Sequence, residues 1–143
     1  MLYDIDMRLR PSGRAGPLAS HIGSFSHYQE REAWTWEHMA LTRARVISAS
    51  PAFRERIEAI IVTALTRPRD AGSVARDVAE MRRAIALEKG EDDLWNLKYA
   101  AGGMVDIDFI AQYLQLVHAA REPEILDVST LHVLDNAEQL DVL

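Results

Sequence analysis

Apolar and polar positions alternate strictly where the chain opens. Tyr3, Ile5, Met7 and Leu9 take one side of the alternation, and Asp4, Asp6, Arg8 and Arg10 take the other. A period of two predicts a strand with one buried face. Residues 11–17, with two prolines and two glycines, predict a loop. Leu18 to Ile22 is short enough to be a second strand pairing back on the first. From there the period becomes helical. Ser24 is a candidate N-cap, and Ala33, Trp36, Ala40, Ala44 and Ile47 space one long helix from Phe25 to about Ser48, in which a bend could fall anywhere. Ser50 followed by Pro51 marks a new helix start, with Phe53, Ile57, Ile60 and Ala64 as its stripe. The segment from Pro68 to Gly72 breaks it. Val74, Val78, Met81 and Ile85 stripe the next helix, which ends near Gly90. Gly102-Gly103 precedes a helix from about Val105 to Ala119, apolar nearly all round and therefore expected at the centre. Pro123 stops that pattern, and a last helix runs from about Thr130 to Leu140. The pattern predicts a mainly α fold: a strand or hairpin at residues 2–22, then five helices.

Composition narrows the classes. The chain has 143 residues, 48% of them apolar and 27% charged, which suits a packed domain rather than a disordered tail. A net charge of −6 argues against a general nucleic-acid binder, although a local phosphate site stays open. No apolar run reaches the roughly 18–20 residues of a membrane span, and the charged opening does not read as a signal peptide. With no cysteine there is no disulfide or thiolate metal site, which fits a cytoplasmic protein. Both ends fall inside a repeating pattern, so the chain reads as a piece of something longer.

Three places could carry chemistry. Asp4 and Asp6, two apart on a strand, project the same way about 7 Å apart, and such a pair can hold Mg²⁺ together with substrate phosphates. Arg8 and Arg10 add cations to that face, suited to phosphate. A solvated edge strand would show the same pattern. Arg43 and Arg45 are the second place, although residues two apart on a helix do not share a face and local acids could absorb both. The third is Lys98 with Gly102-Gly103, where backbone N–H groups could meet an anion. Asp106 and Asp108 in the turn that follows oppose this, and favour a plain helix start. The tryptophans Trp34 and Trp36 are expected in the core. The five histidines have no metal-ligand spacing and are expected to be structural.

Taken together the motifs say more. Residues 3–13 (Tyr-Asp-Ile-Asp-Met-Arg-Leu-Arg-Pro-Ser-Gly), 28–38 (Tyr-Gln-Glu-Arg-Glu-Ala-Trp-Thr-Trp-Glu-His) and 41–45 (Leu-Thr-Arg-Ala-Arg) resemble glutamine synthetase adenylyltransferases. The run from Gly102 to Leu116, opening Gly-Gly-Met-Val-Asp-Ile-Asp-Phe, is similar to a second signature of that family.

The resemblance implies a bifunctional enzyme with two nucleotidyltransferase halves, each followed by a helical domain. One half attaches AMP to a tyrosine of glutamine synthetase, with ATP as substrate and Mg²⁺ as cofactor. The other removes the AMP by phosphorolysis. The Ala-Trp-Thr-Trp-Glu-His wording and the Arg-Pro-Ser-Gly loop resemble the adenylylating, C-terminal half. Residues 1–22 would then be the end of an α/β nucleotidyltransferase domain and residues 23–143 the helical domain behind it. Asp6 matches the third carboxylate of the family, a catalytic and metal-holding position, whereas Asp4 sits where the family varies. Arg8, Arg10, Arg43 and Arg45 would serve phosphates or the protein substrate. The family's Gly-Ser-Asp-x-Asp pair does not occur in these residues, so the chain on its own is expected to be inactive. Implied partners are glutamine synthetase and a PII signalling protein, with no nucleic acid and no membrane. A second reading makes the chain a non-catalytic helical module that docks on one of those two proteins.

Overall fold

The structure, a computed structural model, describes residues 10–90, 93 and 95–143, with only the backbone of Arg14. The alternating segment with Asp4, Asp6 and Arg8 lies outside the described residues, and so does the first predicted strand. Six α-helices follow one another: α1 (Ile22–Arg31), α2 (Thr35–Leu41), α3 (Pro51–Leu65), α4 (Ala71–Lys89), α5 (Met104–His118) and α6 (Thr130–Gln139). Short 3₁₀ turns occupy Gly13–Ala15 and Pro123–Ile125. No strand occurs among the described residues.

Two sequence expectations are corrected at the start of the helical part. Leu18 to Ile22 is not a strand. Ile22 already opens α1, because the His21 side chain, rather than Ser24, caps it: the Gly23 N–H donates to His21 Nδ1 at 3.1 Å. The long helix expected from Phe25 to Ser48 is two helices meeting at a corner, followed by irregular chain from Ala44 onward. The corner forms because both Glu32 and Ala33 N–H groups bond the Tyr28 carbonyl, which ends α1. Trp34 then takes an extended conformation (φ −86°, ψ 166°), and Glu37 reaches back to its N–H at 2.9 Å. A side chain at the third helical position accepting from the cap residue is half of a capping box.

The later helices follow their patterns. Ser50-Pro51 starts α3, Asp70 caps α4 by accepting from Ser73 N–H at 3.0 Å, and Gly90, at φ +76°, closes α4. Helix α5 packs against α2, α4 and α6. One core gathers Met39 and Leu41 of α2, Ala64 and Leu65 of α3, Val74 of α4 and Leu116 of α5. A second gathers Ala111 and Leu114 of α5 with Ile125, Val133 and Ala137. Tyr113 and Leu126 pack against both, so the two join into one interior. Helix α5 is central as its all-round apolarity predicts, yet Met104, Ile107 and Ile110 stay exposed along one edge. Trp34, 72% exposed, and Trp36, 41% exposed, lie outside the core, contrary to expectation. They sit at the start of α2, where the corner turns them outward and Glu37 and His38 take the inward places.

Candidate functional site

The predicted site residues separate. Asp6 and Arg8 fall outside the described residues. Arg10 opens a tight loop: its backbone carbonyl accepts from Gly13 N–H at 2.8 Å and its Nε donates to the Gly16 carbonyl at 3.2 Å. Gly16 is required there, since a Cβ on it would stand 2.1 Å from the Pro11 carbonyl oxygen. Arg10 and Pro11 face Phe25 and Gln29 of α1 and Glu37, Ala40 and Leu41 of α2 across a cavity of about 200 Å³. Arg43 belongs to a different cleft, beside Met104, Ile107 and Thr130. It donates from Nη1 to Asp108 Oδ1 and to Thr130 Oγ1, both at 3.0 Å, while the Thr130 hydroxyl donates to Asp108 at 2.6 Å. Arg45 is exposed. Arg10 and Arg43 are therefore not brought into one phosphate site, and Arg43 is engaged by an acid, as the plainer reading of that pair has it.

The first signature, Tyr28 to His38, builds the α1–α2 corner. The Tyr28 hydroxyl donates to Glu37 Oε1 at 2.7 Å, and Glu37 Oε2 accepts from Trp34 N–H. His38 Nε2 donates to the Gln29 carbonyl at 3.1 Å, the donor role fixed by that acceptor. Gln29, Glu37 and His38 are all buried. Burial holds the His38 pKa below its ordinary value, and Arg69 and Arg67 push it the same way against the Gln29 carbonyl. Arg67 and Arg69 come from the turn between α3 and α4. Arg67 bonds the Glu30 carbonyl at the end of α1, and Arg69 bonds the Leu65 and Ala64 carbonyls at the end of α3. Burial brings the Arg69 pKa down to about 10, with Arg67 adding to the shift, so both stay charged at neutral pH. Cations at helix C-termini are favourable.

The second signature is equally structural. Gly102 takes φ +76°, a conformation costly for other residues. A Cβ on Gly103 would lie 2.6 Å from the Leu97 carbonyl oxygen and 2.8 Å from that of Ala100. The first N–H groups of α5 are already used: Met104 donates to Leu97 at 2.9 Å and Val105 to Lys98 at 3.1 Å. The glycine pair therefore packs a loop onto the helix start, and no anion is needed to satisfy it. Asp106 accepts from Gly102 N–H at 2.6 Å and from Arg82 Nε of α4. The Arg82 bond is the main reason its pKa lies below the usual carboxylate value, with Gly102 adding to it. Lys98 lies over the Tyr99 ring, 5.2 Å from its centroid. The sequence reading did not reach the Arg82–Asp106 and Tyr28–Glu37 pairs. Arg82 has no local signal, since its partner is 24 positions away. Glu37, three residues after Trp34, was visible as a capping position.

Among the described residues no group of three or more histidines and carboxylates could hold a metal ion. Asp106 and Asp108 are committed to arginines. The described part therefore gives no fit for Mg²⁺, and that assignment stays with Asp6. No helix among the described residues is long and apolar enough to cross a membrane.

Comparison with known proteins agrees with the motifs. The family model for glutamate-ammonia ligase adenylyltransferase matches residues 1–60. The chain is 82% identical over all 143 residues to the bifunctional glutamine synthetase adenylyltransferase/adenylyl-removing enzyme of Bradyrhizobium sp. (strain BTAi1). It is 77% identical, again over 143 residues, to the enzyme of that name from Rhodopseudomonas palustris (strain BisB5). The Xanthobacter autotrophicus (strain Py2) enzyme is 56% identical over 142 residues. The chain spans 14% of the length of each of these relatives. Aligned from end to end with one segment of those enzymes, the chain belongs to the glutamine synthetase adenylyltransferase family.

Proposed function

We propose that this chain is the part of a glutamine synthetase adenylyltransferase that joins a nucleotidyltransferase domain to its helical domain. The 82% identity over all 143 residues to an enzyme of that name carries the reading. Residues 1–22 are the end of the nucleotidyltransferase domain and residues 23–143 the helical domain; the start of α1 at Ile22 supports a boundary there. The motif wording favours the adenylylating half, acting in the cytoplasm on glutamine synthetase and under the influence of a PII protein.

In that reaction the phenolic oxygen of a glutamine synthetase tyrosine bonds to the α-phosphorus of ATP. The bond to the bridging oxygen breaks and pyrophosphate leaves. In removal, inorganic phosphate attacks the same phosphorus, the tyrosine oxygen leaves, and ADP is formed. Asp6 is the residue of this chain assigned to take the phenolic proton. Mg²⁺ bound with ATP supplies charge neutralisation on the phosphates. Arg8 and Arg10 remain phosphate candidates on the same alternation, with Arg10 the more constrained by its loop. The described helices supply the frame rather than the reacting groups, since both signature stretches are used in building it.

The test replaces the matching segment of the Bradyrhizobium enzyme with this chain and follows label from α-labelled ATP into glutamine synthetase. The chimera should label it, and the 143-residue chain alone should not. An inactive, well-folded chimera would overturn the reading. Labelling by the chain alone would show that its catalytic carboxylates are all within these residues.

A further inference from the structure

The Arg10–Gly16 loop meets the helical frame through one hydroxyl. Tyr28 donates that hydroxyl to Glu37 at 2.7 Å, and Trp34 N–H holds the second carboxylate oxygen at 2.9 Å. Glu37 is buried, so its carboxylate is fixed from two sides. From the loop side the Ser12 backbone N–H donates to the same Tyr28 oxygen. Ser12 is one of two described non-glycine residues with positive φ, at 60°. A serine held there costs on the order of 1–2 kcal/mol, so its N–H direction is imposed by the surroundings. The loop itself is stiff, closed by the Arg10–Gly16 bond and by the close approach of Gly16 to Pro11. Its apolar side does not pack tightly, because a cavity of about 200 Å³ separates Arg10 and Pro11 from Phe25, Ala40 and Leu41. Dispersion forces fall off quickly across such a gap, which leaves the hydroxyl to set the register. Burial, then the Glu37 carboxylate, hold the Tyr28 pKa above its ordinary value, so it stays a donor at neutral pH.

Arg10 follows Asp6 by four residues. A stiff loop so close in sequence passes any displacement to that segment. We propose that Tyr28 is a positioning residue for nucleotidyl transfer: held by Glu37, it fixes the Arg10–Gly16 loop and through it the segment that carries Asp6. The proposal rests on the assignment of Asp6 above, and the experiment separates the two.

Tyr28→Phe, Asp6→Asn and the double variant are made in the full-length chimera, with thermal unfolding recorded for each. Tyr28→Phe should lower kcat about 10-fold with KM for ATP changed less than about twofold, as a misplaced rather than missing group does. In the Asp6→Asn background the same change should alter kcat less than about twofold, because a residue acting through Asp6 has nothing left to position. Equal losses in both backgrounds would make Tyr28 merely structural and overturn the proposal. Wild-type kcat for Tyr28→Phe, with Asp6→Asn impaired, would overturn it while leaving the Asp6 assignment standing. Full activity of Asp6→Asn would remove that assignment and the proposal with it. If Tyr28→Phe fails to fold, Glu37→Gln, which disturbs the hydroxyl while keeping one acceptor, is judged by the same coupling to Asp6.

Discussion

His38 shows how a single buried side chain can tie this corner to solution pH. Its ring donates to the Gln29 carbonyl and is buried, and burial, with Arg69 and Arg67 nearby, disfavours the charged imidazolium in the fold. The folded-state pKa therefore lies below the ordinary 6.5. Above 6.5 both folded and unfolded chains hold His38 neutral and nothing is lost. As pH falls below that value the unfolded chain binds the proton first, so stability declines until the folded pKa is reached. Asp106 and Asp70 act in a separate window. Their folded pKa values lie below 3.8, so the stability they add is present above that value and is lost further down. Thermal unfolding of the 143-residue chain between pH 5 and 7 should show a decline on the acid side, smaller in His38→Gln, which keeps a donor without the titration. Identical slopes for the two proteins would remove His38 from the account.

At the scale of elements, the entry into α5 depends on a glycine for space rather than for backbone freedom. Gly103 has an ordinary extended conformation (φ −79°, ψ −169°), yet its missing Cβ leaves room for two carbonyl oxygens under 3 Å away. Backbone carbonyls cannot swing aside as side-chain tips do. Gly103→Ala should therefore destabilise the chain by about 1–3 kcal/mol, read as a lowered midpoint in urea, whereas an unshifted midpoint would mean the loop relaxes freely. Elements with local signals were legible in the sequence: the Ser50-Pro51 start, the Val74/Val78/Met81/Ile85 stripe, the Gly90 stop and the beginning of α6. The α1–α2 corner was not, because helical spacing runs on through Ala33 and Trp36. What breaks the helix there is Glu37 bonding Trp34 N–H, a contact that periodicity does not register. The tryptophans were misplaced for the same reason. At the site, the signatures marked the right segments, and their spacing could not show that Glu37, Asp106 and Asp108 face Tyr28, Arg82 and Arg43.

Seen across the whole molecule, the two signature stretches sit on opposite sides of one interior. The first locks α1 to α2, and the second locks α4 to α5 through Arg82 and Asp106. Helix α5 runs between the two cores, so both locks bear on the same body. The polar groups of the described part thus hold a frame, while the chemistry is assigned to Asp6 on the segment leading into the Arg10–Gly16 loop. This division of labour is the central claim, and two isosteric substitutions in the chimera test it directly, each measured for AMP transfer to glutamine synthetase and for thermal stability. Asp6→Asn should reduce transfer at least about 10²-fold, the range for a lost general base, with unfolding unchanged. Asp106→Asn should cost about 1–3 kcal/mol of stability by weakening a charge-assisted bond, while transfer well below the unfolding temperature stays within a few-fold of the parent. The reverse result, with Asp106→Asn stable and inactive and Asp6→Asn active, would contradict it.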